Sequence, residues 1–390
     1  MTALDAALPD NTPAPFDAGS PERGQGADAG PQHSLPAPLV LLHLSDIHIG
    51  SGGFAIPALE LAMNEILPVI DPLTTFATGD LVEVGNDLDD WEDYRVRIDG
   101  AGLSDQRYIE IPGNHDIYLD LDLSNYLEHT IAGRHGHGTY GLYHLDTAWG
   151  RLRVVALSTV SSGDQLRDST GYLSGGQVDE LIASMAADAE PVANTIVLGH
   201  HPADIDGLGL FNTDDELTRV LEASSALAYL YGHRHYHYLS WQGEVLFAMA
   251  RTLGNPGEEA SNRAGFNVLV IDDGPAIRGV PIDEADHTVD WPVVMITRPA
   301  DAAIGGGNPL AEALERASAD HLLRAVVFSP EQLPATARYR VDQDPWQPMV
   351  LVGSHFEAWF DTPDAAGCVL EVEASDTAGV ASDTVEVELR

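Results

Sequence analysis

The sequence predicts an α/β domain followed by an all-β sandwich. Three observations carry that prediction. Between about residues 39 and 287, short apolar runs alternate with segments of helical periodicity. Near Asp286 the texture changes, and from Trp291 onward short alternating runs are separated by turns. The length, 390 residues, suits two or three domains at roughly 100–200 residues each.

The elements follow in order. Residues 1–38 are rich in Pro, Gly, Ala and Asp and bury too little to order themselves, so a disordered tail is expected. Leu39 to Leu44 reads as a buried strand. A helix is expected over Ile56 to Ile66, with Pro57 in its first turn and Leu59, Met63, Ile66 and Leu67 at helical spacing. Thr74 to Thr78 and Gln106 to Ile111 read as strands. So do Tyr140 to Leu145 and Arg153 to Ser158, joined by a turn at Ala148-Trp149-Gly150. Ser174 is the expected N-cap of a helix reaching Ala187. Strands at Thr195 to Leu198, Ala226 to Tyr231 and Phe266 to Ile271 complete the region. The domain is therefore expected over 39–287. Seven short strands then lie between Val293 and Leu389, which fits an immunoglobulin-like sandwich over 288–390. Alternation is clearest in Val369-Leu370-Glu371-Val372-Glu373.

Composition narrows the function classes. There are 61 acidic residues against 19 basic ones, all Arg with no Lys, for a formal net charge of −42. Such acidity repels phosphate backbones and anionic lipid, so nucleic acid is not an expected partner. It matches the surfaces of salt-adapted proteins, so a halophilic setting is expected. A single cysteine, Cys368, excludes an intrachain disulfide and a Cys-rich zinc module. No apolar stretch approaches the ~20 residues of a membrane span, and no basic, apolar leader is evident. A cytoplasmic location is the resulting expectation.

Five short motifs recur at the carboxyl ends of expected strands. They are Asp46-Ile47-His48, Gly79-Asp80, Gly113-Asn114-His115-Asp116, Gly199-His200-His201 and Gly232-His233-Arg234-His235. In an α/β sheet the loops at those ends converge on one crevice. Each motif alone is weak in a chain with 16 His and 61 acids. Five in succession, each after an apolar run, are hard to obtain by accident. Carboxylates, imidazoles and an amide oxygen suit a hard-to-borderline metal. That many side chains exceed one tetrahedral zinc but suit two metals sharing a carboxylate.

With D-x-H, G-D, G-N-H-D, G-H and G-H-x-H in order from Asp46 to His235, the chain resembles the calcineurin-like metallophosphoesterase superfamily. The resemblance implies a four-layer sandwich of two β-sheets flanked by helices. It implies that Asp46, His48 and His235 hold one metal, that Asn114, His200 and His233 hold the second, and that Asp80 bridges. His115 is then the non-ligand imidazole facing the substrate phosphate. The chain is also similar to a narrower, transmembrane-protein-62-like group in which an Ig-like domain follows the catalytic one. Trp91 and Tyr94, the stretch Tyr140 to Asp146, Trp291 to Pro299 and Ala325 to Ser329 carry that likeness.

The expected activity is metal-dependent hydrolysis of a phosphate ester, foremost a phosphodiester of a small phosphorylated substrate. Two divalent ions are the expected cofactors, and Mn, Fe, Zn, Co or Ni all suit the donors. A phosphomonoesterase is one alternative. Another is a non-catalytic metal-binding scaffold whose Ig-like domain binds a protein partner, although scaffolds usually lose ligands and here none is lost. Further candidates are His201 and Arg234 as substrate contacts and Asp116 as a partner of a ligand histidine, with capping of the next turn as its alternative role. His237 and Tyr238 extend the same loop. His135 and His137 read as part of a flexible loop. The acidic run Asp87, Asp89, Asp90 and Asp93 reads as a solvated face. The loops Gly133 to Gly138 and Gly207 to Thr213 are expected to shape specificity.

Overall fold

Strands buried on both faces organise the molecule. In the computed structural model the described residues are 35–160, 170–203, 210–211, 214–257, 262–331 and 336–390. Nearly all of the expected tail, and most of Gly207 to Thr213, lie outside them. Pro36 and Ala37 are already tied down: their carbonyls accept from Arg324 Nη1 (2.8 Å) and Trp149 Nε1 (2.6 Å).

In chain order the first part begins β1 (Leu39–Leu44), α1 (Ala55–Leu61), a π-helical turn (Ala62–Ile66), α2 (Leu67–Ile70), β2 (Thr75–Thr78), α3 (Leu88–Gly100) and β3 (Tyr108–Ile111). Next come α4 (Asn114–Ile117), α5 (Ser124–His129), α6 (Ile131–Arg134), β4 (Gly141–Thr147), β5 (Gly150–Ala156), β6 (Gly171–Tyr172), α7 (Gly175–Ala186) and β7 (Val192–Leu198). It ends with β8 (Leu210–Phe211), α8 (Asp214–Ser224), β9 (Ala228–Tyr231), β10 (Tyr238–Gln242), β11 (Val245–Met249), β12 (Gly265–Ile271) and β13 (Pro275–Pro281). Two sheets form, in the orders β13-β12-β1-β2-β3 and β10-β11-β9-β7-β5-β4. Within them β1, β2 and β3 are mutually parallel, as are β5, β7, β9 and β11.

The alternation of side chains along each strand builds the layers. On β1, Leu39 and Leu41 enter the core between the sheets, where they join Phe76, Ile111, Val154, Leu198 and Leu230. Leu42 and Leu44 point the other way, onto Leu59, Ile66, Trp91 and Tyr94 of the helices. On the second sheet, Val155, Val197 and Tyr229 pack against Val178, Leu181 and Leu217 of α7 and α8. The result is the expected four layers, helix-sheet-sheet-helix. The Ser174 hydroxyl caps α7, accepting from Gln177 N at 3.2 Å. Val178, Leu181 and Met185 form its buried stripe, each apolar side chain contributing roughly 1.5–3 kcal/mol when fully buried.

The last part runs β14 (Val293–Arg298), β15 (His321–Phe328), β16 (Thr336–Val341), β17 (Gln347–Pro348), β18 (Val350–Val352), β19 (His355–Phe360), β20 (Gly367–Ser375) and β21 (Val380–Glu388). Its sheets are β14-β15-β19-β18 and β17-β16-β20-β21. That order corresponds to the A-B-E-D and C′-C-F-G sheets of an immunoglobulin-like sandwich. Cys368 sits in its core with Leu323, Phe356, Leu370 and Val387. Residues from Pro36 to Arg390 form one compact unit. Val293, Met295, Val326 and Phe328 of the sandwich join the helix-side core of the α/β part.

Candidate metal centre

Each motif leaves a strand at its carboxyl end. β1 runs into Asp46 and His48, β2 into Asp80, β3 into Asn114 and His115, β7 into His200 and His201, and β9 into His233 and His235. All seven expected ligands meet there. Asp46 Oδ1 lies 3.3 Å from His235 Nε2 and 3.9 Å from His48 Nε2. His48 and His235 are 3.2 Å apart through their Nε2 atoms. On the other side, Asn114 Oδ1 lies 3.1 Å from His200 Nε2 and 3.0 Å from His233 Nδ1. Asp80 Oδ2 reaches both groups, at 3.7 Å from His48 Nε2 and 3.2 Å from His200 Nε2.

The tautomers suit cation binding. His200 Nδ1 donates to the Thr78 carbonyl at 2.7 Å, which leaves Nε2 as a lone pair facing Asp80. His48 Nδ1 lies 2.9 Å from the Glu83 carboxylate, which frees its Nε2 in the same way. Electrostatics agree. Burial alone would raise both aspartates, yet His235 holds Asp46 down at about 2, and His200 with His115 holds Asp80 well below the usual carboxylate range. Burial opposes charge on His200, but Asp80 and Asp46 prevail and lift it to about 9, so without a cation a proton sits on Nε2, and a bound cation takes that proton's place. Burial and then His200 lower His233 to about 4. Two ionised carboxylates almost shut off from water, ringed by imidazoles and an amide oxygen, are a donor set that fits divalent cations.

His115 stands beside this group. Its N–H donates to Asp80 Oδ1 at 2.8 Å, and its ring Nδ1 donates to the Glu83 carbonyl at 2.8 Å. The ring lies 4.6 Å from that of His48 and is 18% exposed, whereas His48 is 1% exposed. His115 thus faces the opening, as does His235 at 17% exposure.

The other candidates separate. His201 is buried, with Nδ1 2.8 Å from Thr159 Oγ1 and its ring 4.6 Å from His233. The Arg234 side chain has no ion pair among the described residues. Asp116 touches no ligand histidine. Its carboxylate accepts from the backbone N–H groups of Gly113 (2.7 Å), Leu81 (2.8 Å) and Val82 (3.1 Å), so it caps its own turn and laces two ligand loops together. Burial and then Asp80 raise it to about 7. His237 is held by Asn267 at 2.9 Å, and His137 by Asp105 at 3.0 Å. Asp87 caps α3 rather than lying on a featureless acidic face.

Glu83 and Thr159 escaped the sequence reading. The Glu83 carboxylate lies 2.9 Å from His48 Nδ1 and 3.5 Å from His115 Nδ1, so it addresses both rings. Its sequence signal is its place three residues after Asp80. Thr159 carries no such signal, because chain folding alone brings it to the loop after β7.

Comparisons with known proteins follow the same motifs. Residues 39–237, just over half of the chain, match the calcineurin-like phosphoesterase family. Transmembrane protein 62 of Mus musculus is 25% identical over 318 residues, covering 74% of this chain. The chain spans 45% of that relative's length. No helix among the described residues is long and apolar enough to cross a membrane. Among solved structures, GAP50 of Plasmodium is similar with a TM-score of 0.44 and 13% identity, over 65% of this chain and 87% of its own. TT1561 of Thermus thermophilus has a TM-score of 0.42 and 13% identity, over 62% of this chain and 99% of its own. With its five motifs, from Asp46 to His235, all inside the matched segment, the chain belongs to the calcineurin-like phosphoesterase family.

Proposed function

We propose that the chain is a dinuclear-metal-dependent hydrolase of phosphate esters, and within that class a phosphodiesterase acting on a small substrate. The observation that carries the reading is Asp80. One buried carboxylate lies within 3.7 Å of His48 and 3.2 Å of His200, so the two ligand groups share it. Two divalent cations, when bound, polarise a phosphoryl oxygen and lower the pKa of water.

The chain's own groups supply the rest. Glu83 and the Thr78 carbonyl orient His48 and His200. His115 keeps a proton on Nδ1 through the Glu83 carbonyl, so its Nε2 is the atom that meets substrate. In the imidazolium form that atom donates to a phosphoryl oxygen or protonates the leaving oxygen. A diester is favoured by charge: it carries one negative charge, a monoester nearly two near neutrality. A chain of net charge −42, with Glu83 beside His115, takes the less charged ester more readily.

The test is hydrolysis of bis-p-nitrophenyl phosphate against p-nitrophenyl phosphate with Mn²⁺, before and after chelation. Chelator-sensitive, Mn²⁺-restored turnover that favours the diester is expected. A preference for the monoester would overturn the diester assignment, and metal-independent turnover the whole reading. The proposed hydrolytic unit is 39–287, with 288–390 as its support. A protease site inserted between Asp286 and Trp291 checks this: the halves should stay associated after cleavage, and their separation would reject the support role.

A further inference from the structure

We infer that His201 is a fixed hydrogen-bond donor to the phosphoryl group of the substrate, not a third metal-ligating histidine, and that Thr159 is the positioning residue that fixes it. The inference rests on the metal centre proposed above and assigns a role to a residue outside the seven ligands.

The argument starts at Thr159 Oγ1, which is fully buried. Two backbone N–H groups, those of His200 and His201, donate to it at 3.3 Å each. A hydroxyl oxygen has two acceptor sites, and both are taken. Its own proton must then go outward, and His201 Nδ1 at 2.8 Å is its acceptor. A ring nitrogen that accepts carries no proton. The proton of the imidazole therefore sits on Nε2.

The residue is held and packed closely here. Tyr229 Oη donates to the His201 carbonyl at 2.7 Å. On the Nδ1 side, Gly171 presses so close that a Cβ there would lie 2.5 Å from His201 Cγ and 2.7 Å from Nδ1. The ring borders the metal centre. One ring nitrogen each from His200, His201 and His233 lie within 4.8 Å of one another, and the His201 ring is 4.9 Å from His200 and 4.6 Å from His233.

Three histidines so placed look like a metal-binding trio. The tautomer says otherwise for one of them, because an N–H cannot ligate a cation. His201 Nε2 is buried and has no hydrogen-bond partner among the described residues. An unmatched buried donor is costly unless a ligand completes it. The acceptor that fits this place is an anionic oxygen held at a cationic centre, which is what a phosphate group presents.

Two experiments on the full chain test this. The first uses long-range ¹H–¹⁵N correlation spectra of histidine-labelled, metal-free protein. His201 should show an unprotonated Nδ1 and a protonated Nε2. Thr159→Ser should keep that pattern, and Thr159→Val should redistribute the proton. The reverse tautomer in the wild type would overturn the inference. The second measures bound metal after dialysis, and inorganic phosphate affinity by calorimetry, for wild type, His201→Ala and His201→Gln. Metal content should match wild type in both variants. Phosphate affinity should fall about 10- to 100-fold in His201→Ala and recover in large part in His201→Gln, which keeps a donor. Loss of one metal equivalent in His201→Ala, or an unchanged phosphate affinity, would refute the donor role. A wild type that binds no metal would instead sink the metal-centre reading, and the tautomer spectra would still decide the fate of this one.

Discussion

Five of the seven proposed ligands hold a left-handed backbone: Asp46 (φ 51°), His48 (51°), Asp80 (52°), His233 (74°) and His235 (62°). Few residues other than glycine adopt that region, and those that do gather where a structure forces side chains together. The forcing contacts are close. A Cβ on Gly113 would lie 2.3 Å from both Asp80 N and Asp80 Oδ1, so the loops after β2 and β3 touch through a hydrogen atom. Gly113→Ala should therefore push the bridging carboxylate out of place, with bound metal dropping below one equivalent by elemental analysis. Retention of two equivalents would show that the contact can relax. His115→Ala should act differently, with metal content unchanged and kcat down about 10²–10⁴-fold, the usual share of one acid–base group. That the seven proposed ligands and His115 come together was legible because each sits in a short motif after an apolar run. Glu83, Thr159 and the reach of Asp116 beyond its own turn to Leu81 and Val82 were not. Their partners are set by chain folding across tens of residues, and no local spacing encodes that.

At the scale of single elements, β3 carries an unusual load. Glu110 is 1% exposed and its oxygens accept from Tyr94 Oη at 2.7 Å and Ala132 N at 3.0 Å. Burial is the main cause that lifts its carboxyl from 4.5 to about 7, despite those hydrogen bonds. For an acid whose folded pKa is raised, stability is complete below the unfolded value and is lost as pH climbs to the folded one. The window is therefore about pH 4.5 to 7, and the loss is about 3 kcal/mol. Urea unfolding at pH 5 and pH 8 should show wild type losing about 3 kcal/mol more than Glu110→Gln over that interval. Parallel behaviour of the two proteins would mean that Glu110 is ionised in the fold. The strands around it were readable, since β1, β9 and the Ile196–Leu198 end of β7 are short, mostly apolar runs, and β2 carries Phe76 and Ala77 between β-branched threonines. Helix α3 was not. Its buried Trp91, Tyr94 and Ile98 have helical spacing, but Asp89, Asp90, Glu92, Asp93 and Asp99 lie among them, and the acidic residues drew the reading toward a solvated face. β13 and the β10–β11 hairpin were missed too. Half-exposed positions such as those of β10 dilute the apolar signal by which buried strands are recognised.

For the whole molecule, two kinds of electrostatics act and salt separates them. The first is a buried seam between the α/β part and the sandwich. Arg324, 2% exposed, lies 3.3 Å from Asp272 and 2.9 Å from Glu357, while Asp272 also accepts from Thr297 Oγ1 at 2.9 Å. Removing one partner strands buried charge, so Arg324→Met should cost about 3–5 kcal/mol. The second is the overall charge of −42, which drives the folded chain apart. Screening shortens its reach from about 10 Å at 0.1 M salt to about 3 Å at 1 M, but penetrates a buried pair little. Unfolding in 0.1 M and 2 M KCl should therefore show wild type markedly more stable at high salt. The difference between wild type and Arg324→Met should stay constant within about 0.5 kcal/mol, the usual tolerance for independent effects. KCl is the right salt, because sulfate would strengthen apolar burial for an unrelated reason. A stability that does not change with KCl would remove the case for salt adaptation. A difference that shrinks with KCl would mean that water reaches the seam, and that the sandwich is held to the α/β part chiefly by Val293, Met295, Val326 and Phe328.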